Sequence, residues 1–441
     1  MSNPTTRRFF LGAATALAAT RVWGANDKVN VAIVGIGGRG TTHLNNYSKM
    51  DSAHVVGLCD VNQAARETAN ATLLKNTGEK AKEYEDMRAM FEDKNVQAVS
   101  IATPNHWHAL ATIWACQAGK DVYCEKPACY NIHEGLRMIE VAHETNRMVQ
   151  IGSQHRSTPF KIKGMEALHG GIIGKVYMAK GLCFKRRVSI GHKEDSPIPA
   201  GVNWDLFLGP APLRAFNELR FKYNWHWFWD TGNGDIGNQG VHEMGIARWG
   251  LGDPSWPKTA VAAGGKYGPV DDQETPNTLL AGYDYGDREL VFEVRGLVTG
   301  AEGSVQARPA NAPAGLPGSP LAVTIGNLFY GTEGWMSMND GGYQIYKGES
   351  NELIAEEKPE KGVDGTRLHM ENFLSAVRSR NYSELHDGIE NASLSAGLCH
   401  LANISYRSGH KLALEAGPKF TGDVAANKLI SREVYRKPYV V

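Results

Sequence analysis

The feature that most narrows how this chain can fold is Gly35-Ile36-Gly37-Gly38-Arg39-Gly40, a G-x-G-x-x-G set directly behind the apolar stretch 28–35. Between a strand and a helix, the first glycine permits a tight turn and the second lets the backbone approach a pyrophosphate. The third lets helix and strand pack closely, and phosphate charge then sits on the helix N-terminus. The spacing predicts a helix from about Thr41. A second apolar strand, "HVVGLCD", ends at Asp60, twenty positions after Gly40. A carboxylate there accepts hydrogen bonds from ribose hydroxyls and repels a 2′-phosphate, which favours NAD over NADP.

The next strand, "VQAVSIAT" (96–103), runs into Thr103-Pro104-Asn105-His106-Trp107-His108, and "DVYCEKP" ends in Glu125-Lys126-Pro127. Strands alternating with helices predict a doubly wound parallel sheet with ligands at the carboxyl ends of its strands, where both segments fall. His106 and His108 can be read as a metal pair, but no Cys, Asp or Glu nearby completes a ligand set, so no metal is expected. The candidate cofactor residues are therefore Gly35, Ile36, Gly37, Gly38, Arg39, Gly40, Asp60, Thr103, Pro104, Asn105, His106, His108, Glu125, Lys126 and Pro127.

From Ile151 the pattern changes to longer alternating strands, among them "KVYMAKGLCF" and "NTLLAGYDYGDRELVFEVRGL", the latter with a Gly286-Asp287 turn. The expected fold is thus an α/β Rossmann domain over 26–150, followed by an α+β domain over 151–441 on an open, largely antiparallel sheet. Between its strands lies an aromatic-rich insert, 203–212 and 223–251, with four aromatics and His226 inside Trp225–Trp229. Sugars present C–H faces to aromatic rings, so a carbohydrate platform is one reading and core packing the other.

The order G-x-G-x-x-G, strand-end Asp60, "TPNHWH" and Glu125-Lys126-Pro127 resembles the glucose-fructose oxidoreductase, inositol dehydrogenase and rhizopine-catabolism family, Gfo/Idh/MocA. The likeness is tight over 28–150 and looser to "LCHLANISYR" (398–407). It implies Lys126 beside the nicotinamide and the substrate hydroxyl, a cis bond before Pro127, and homo-oligomeric pairing through the second sheet as a dimer or tetramer. Family members commonly place an Asp four residues before a His; the matching positions here are Asn238 and His242. An amide can orient the ring but cannot stabilise imidazolium by charge. Asp235 is an alternative source of that charge, and Tyr223 and His226 are candidates for an extra base. The implied activity is NAD-dependent oxidation of a sugar or glycoside hydroxyl. The alternatives are an NAD-dependent glycosidase, working by transient oxidation, elimination, hydration and re-reduction, and a binding protein that has lost the chemistry.

The N-terminus constrains location. Thr6-Arg7-Arg8-Phe9-Phe10-Leu11 fits a twin-arginine export signal, and the apolar run Phe9–Thr20 is shorter than the roughly 20 residues of a spanning helix. Residues 1–25 are read as a leader and the chain as periplasmic or otherwise exported, already folded, with its cofactor loaded and internally recycled. The whole chain carries 47 basic and 47 acidic residues; without the leader's three arginines the balance is 44 to 47, or −3. Such a balance advertises neither nucleic acid nor an anionic membrane as partner. Six cysteines without a CxxC pair exclude a metal finger or disulfide scaffold. Cys124 and Cys129 are expected as free thiols rather than a bridge.

Overall fold

The computed structural model describes residues 28–302, 324–415 and 417–441; the twin-arginine stretch and the rest of the expected leader lie outside them. Six strands, β1 (Val29–Val34), β2 (Ala53–Cys59), β3 (Lys82–Tyr84), β4 (Ala98–Ile101), β5 (Asp121–Cys124) and β6 (Val149–Ile151), form one parallel sheet in the order β3-β2-β1-β4-β5-β6. Strand order reverses between β1 and β4, which opens a crevice at their carboxyl ends. β1 is buried on both faces, as a parallel central strand must be. Helices 87–91, 108–117 and 132–145 cover one face. Helices 38–47 and 63–77 cover the other, together with helix 365–379, which places Met370, Phe373, Leu374 and Val377 against it. The Rossmann layer is therefore completed by a helix more than 200 residues downstream of β6.

The second sheet comprises β7 (Val176–Cys183), β8 (Thr259–Gly265), β9 (Thr278–Asp284), β10 (Glu289–Arg295), β11 (Ile325–Gly331), β12 (Gly334–Asn339), β13 (Gly342–Lys347), β14 (Glu352–Glu357) and β15 (Leu412–Ala413). Their order is β14-β13-β12-β11-β7-β10-β9-β8-β15. All pairs are antiparallel except β7 with β10, so the sheet is mixed and mostly antiparallel. The Gly286-Asp287 turn joins β9 to β10 as expected. Helices 240–250 and 389–408 pack on one face, while Tyr177, Val261 and Leu280 are exposed on alternating positions of β7, β8 and β9. All six cysteines are buried free thiols. Among the described residues no helix is long and apolar enough to cross a membrane.

The segment between β7 and β8 returns to the first domain. Asn62 bridges Val202, the Gln63 amide donates to the Gly201 carbonyl at 2.9 Å and the Asn203 amide to the Val61 carbonyl at 2.9 Å. Beyond this anchor Trp204, Phe207, Phe216 and Phe221 form an aromatic cluster, with Trp204 stacked on Phe207 at 4.8 Å. Aromatic pairs of this kind contribute about 0.5–1.5 kcal/mol each beyond their burial. The Trp107 indole donates to the Leu206 and Phe207 carbonyls and fits only because residue 209 is glycine, whose added Cβ would lie 2.1 Å from the ring.

Candidate active site

The glycine loop is built by close contact on one side and open space on the other. Gly35 has φ +80°, and a Cβ at Gly40 would lie 1.9 Å from the Gly35 carbonyl oxygen, so the turn and helix 38–47 meet backbone to backbone. A Cβ at Gly37 or Gly38 would meet nothing within 4 Å. The helix begins at Gly38 rather than near Thr41, which brings its unpaired first amides forward onto the loop. Facing them is a cavity of about 650 Å³, within the range of about 300–1,000 Å³ usual for small-molecule and cofactor sites. Its other wall is the insert: Leu206, Phe207, Phe221, Lys222, Tyr223 and Trp225.

The donor set fits a dinucleotide. Asp60 accepts from two backbone amides of other residues, Oδ2 from Ile36 at 2.7 Å and Oδ1 from Asn62 at 2.8 Å, leaving each oxygen a further lone pair. Arg39 Nη2 and Thr103 Oγ1, on residues that line the cavity, are buried without a protein partner. Gly35, Gly37, Gly38, Arg39, Asp60, Thr103, Pro104, His108, Glu125 and Lys126 all line it. Ile36, Gly40, Asn105, His106 and Pro127 stand behind the wall instead. Asn105 donates to Asn233 Oδ1 at 2.6 Å, and His106 Nε2 meets the Phe207 carbonyl at 2.9 Å. The two histidines of "TPNHWH" thus diverge, with His108 Nδ1 2.7 Å from the Pro127 carbonyl. Among the described residues no group of three or more His, Cys, Asp or Glu could hold a metal.

Glu125 is the electrostatic anchor. It accepts from Arg39 Nε at 2.6 Å and from His43 Nε2 at 2.9 Å, and His43 Nδ1 lies 2.8 Å from the Ser100 hydroxyl. Burial alone would raise the Glu125 pKa, but Arg39 and the His43 hydrogen bond hold it well below the usual carboxylate range. The adjacent Lys126–Pro127 bond is cis, as the family likeness implied. Burial lowers the Lys126 pKa against the pull of Glu125.

Lys126 Nζ donates to the Asn238 carbonyl at 2.8 Å. That carbonyl would otherwise accept from the His242 amide in a continuous helix; the His242 amide bonds Gln239 O instead, at 3.2 Å. A side chain inserted in the i→i−4 ladder breaks a helix, and here helices 234–238 and 240–250 are separate. The backbone nevertheless stays right-handed helical through Gln239 (φ −76°, ψ −42°), so the ladder loses a bond there while Asn238 and His242 remain four residues apart along a helical path. Asn238 lines the large cavity, whereas His242 lines a second cavity of about 20 Å³ on the far side of Lys126. Burial, then Lys126 and His155, push the His242 pKa well down, and its Nδ1 is buried without a partner.

Asp235 does not supply charge to His242. It is held by Arg187 in a two-pronged ion pair at 2.8 and 2.6 Å and lines neither cavity. Tyr223 Oη accepts from Arg187 Nη1 at 3.1 Å and Asn238 Nδ2 at 3.0 Å, so its own hydrogen is free for the cavity that Tyr223 lines. The aromatic platform is narrower than its sequence suggests. His226 stacks on Trp225 at 3.5 Å beside the cavity, but Trp227 and Phe228 are core residues and Trp229 lies under the Arg407 guanidinium. Burial lowers the His226 pKa to about 3. Sequence reasoning missed Arg187, within "FKRRVSIG", and His155, within "GSQHRS"; neither carries a motif, and only tertiary contact reveals them.

Comparison with known proteins agrees with this geometry. Residues 29–153 match a family model described as oxidoreductase family, NAD-binding Rossmann fold, and residues 168–263 match that family's C-terminal alpha/beta domain. An inositol 2-dehydrogenase of Salmonella paratyphi B is 35% identical over 155 residues, 35% of this chain and 45% of the relative, so the match spans about half the length of that curated protein. An inositol 2-dehydrogenase of Rubrobacter xylanophilus is 23% identical over 328 residues, 73% of this chain and 82% of the relative. The WlbA dehydrogenase of Bordetella pertussis, solved with NADH and UDP-GlcNAcA, superposes with a TM-score of 0.61 at 19% identity, covering 88% of this chain and 98% of that one. With the parallel 3-2-1-4-5-6 sheet, the glycine loop and the Glu125-Lys126-cis-Pro127 turn, these matches place the chain in the Gfo/Idh/MocA oxidoreductase family.

Proposed function

We propose that the protein oxidises a secondary hydroxyl of a sugar, cyclitol or glycoside with NAD held in the large cavity. The observation that carries this reading is the continuity of that cavity from the glycine loop and Asp60 to Lys126, Asn238 and Tyr223. NAD, when bound, supplies a two-electron acceptor for the hydrogen leaving the carbinol carbon with its electron pair. Lys126 lies where its ammonium steadies the developing alkoxide, and neutral His242 is available to take the hydroxyl proton. Asp60 and Glu85, both on the cavity wall, disfavour a 2′-phosphate and so favour NAD over NADP.

Export through the twin-arginine route, read from the leader, puts the enzyme where free NAD is scarce. The cofactor is then a retained part of the enzyme, reoxidised in place either by the carbonyl of a second sugar, which is reduced, or by returning the hydride to the same sugar. The insert wall, pinned to the first domain at Val61–Gln63 and Trp107, supports slow release. Protein purified without added NAD is denatured and its supernatant assayed. Near-stoichiometric NAD is expected; folded but empty protein working only with millimolar NAD would reject retention. Pairing of two subunits through the exposed face of the second sheet completes the reading, and sedimentation as a monomer would remove that part.

The glycosidase reading rests on Tyr223, which lines the cavity, whose hydroxyl oxygen accepts from two donors and so keeps its own hydrogen to give, and which plain alcohol oxidation does not need. A panel of myo-inositol, levoglucosan, glucose and p-nitrophenyl glycosides separates the two. Accumulating oxidised product supports the oxidoreductase, whereas nitrophenol release with no net change in nicotinamide absorbance supports the hydrolase.

A further inference from the structure

The small cavity beside Lys126 holds two imidazoles, and the chemistry above uses only one of them. The second, His155, sits edge-on to His242, ring centroids 5.0 Å apart and planes at 81°. His155 Nδ1 lies 2.9 Å from Lys161 Nζ. An ammonium has no lone pair and can only donate, so Nδ1 accepts and the neutral ring carries its hydrogen on Nε2. Among the described residues Nε2 has no hydrogen-bond partner. Lys161 is only 2% exposed, unusual for lysine, and its other bond runs 2.7 Å to Asp340 Oδ1 in the turn between β12 and β13. A buried cation kept by a carboxylate and aimed at one imidazole nitrogen is costly unless the arrangement does something specific.

The cavity of about 20 Å³ has room for one water or one ligand hydroxyl. Among the residues lining it are His242, whose buried Nδ1 has no partner, Lys126, and His155, whose Nε2–H is left free by the tautomer. We propose that His155 is a further substrate-contacting residue, donating from Nε2 to the oxygen between His242 and Lys126, and that Lys161, held by Asp340, is the positioning residue enforcing that tautomer. The proposal rests on the roles given above to His242 and Lys126. His155 transfers no proton: the hydroxyl proton goes to His242, and His155 contributes one hydrogen bond that strengthens as negative charge grows on the oxygen.

This donor has a particular use here. Among the described residues no carboxylate is hydrogen-bonded to His242, so stabilising the alkoxide falls to donors, and His155 adds one to Lys126. His242 meets His155 edge-on, and the charges acting on His155 are those of Lys161, Asp340, His369 from helix 365–379, and Arg39. Those acting on His242 are Lys126, His155, Glu125 and Arg39. Burial and the Lys161 charge hold the His155 pKa down to about 3, so the neutral donor persists through the neutral range.

The test uses the full-length protein as purified, with ¹⁵N-labelled histidine rings and His155→Gln to assign the signals. Wild-type His155 should show a protonated Nε2, a bare Nδ1 and no titration down to about pH 5. Lys161→Met should mix the tautomers and raise the titration midpoint by at least about one pH unit, a tenfold gain in proton affinity. Lys161→Arg should restore the wild-type pattern, and Asp340→Asn, on the surface and so safe for folding, should shift it partway. A protonated Nδ1 in wild type, or an unchanged spectrum in Lys161→Met, would overturn the tautomer lock. On whichever sugar of the panel is oxidised, His155→Gln, which keeps a donor, should retain at least about tenfold more kcat than His155→Leu, with little change in KM. Equal rates would overturn substrate contact. If no sugar is oxidised, or His242→Ala is fully active, the reading of the reaction fails instead, while the spectra still decide the role of Lys161.

Discussion

At the scale of single residues, the site is governed by burial acting on charge. Lys126 and His242 each lose much of their preference for the protonated form on leaving water. Replacing either with alanine should cost at least about 100-fold in turnover, the usual worth of a positioned proton acceptor or charge stabiliser. Co-purified NAD, measured after denaturation, should be unchanged, because neither group is assigned to the pyrophosphate. Burial also makes the fold sensitive to acid. His369 and His400 are fully enclosed with pKa values lowered to about 4, and His106 to about 3. The folded state then binds fewer protons than the unfolded chain below its histidine pKa of about 6.5. Their stabilisation is complete above that pH and is lost progressively as pH falls, by up to about 3 kcal/mol for a shift from 6.5 to 4. Melting temperature should therefore drop steeply between pH 6.5 and 4, and His400→Gln, if folded, should flatten that slope.

At the scale of elements, the strand–glycine-turn–helix unit separates folding from binding within six residues. A Cβ at Gly40 would sit 1.9 Å from backbone, and one at Gly37 would project into open space. Gly40→Ala should lower the melting temperature of NAD-free protein by several degrees or abolish folding, since rigid backbone has to move. Gly37→Ala should leave that melting temperature within about a degree yet remove most co-purifying NAD. Equal effects of the two substitutions would show that the open side of the loop is not where the dinucleotide lies. The turn at Asn238–Gln239 is the other functional element. Sequence spacing puts Asn238 four residues before His242, but it cannot show that Lys126, 112 residues earlier, takes the Asn238 carbonyl.

At the scale of the whole molecule, three distant segments assemble one site: the β1–β5 loops, the insert between β7 and β8, and helix 240–250. Periplasmic recovery is the matching expectation for the intact chain. Replacing both Arg7 and Arg8 with lysine should strand the protein in the cytoplasm, as read by fractionation, and unchanged export of that variant would remove the twin-arginine assignment. What the sequence by itself determined was local and periodic. Glycine spacing marked the turn, apolar runs marked parallel strands and alternation marked the second sheet; each signal lives within a few residues, where backbone geometry dictates residue type, whereas the cis bond before Pro127 was implied only by the family resemblance. What only the tertiary structure decided were the long-range pairings: Arg187 consuming the charge of Asp235, Lys126 taking the Asn238 carbonyl, His155 meeting His242 at the small cavity, and helix 365–379 completing the Rossmann layer. Nothing local constrains such partners, because an ion pair or a packed face forms between whatever side chains the fold brings within a few ångströms, and that proximity exists only once the chain has folded.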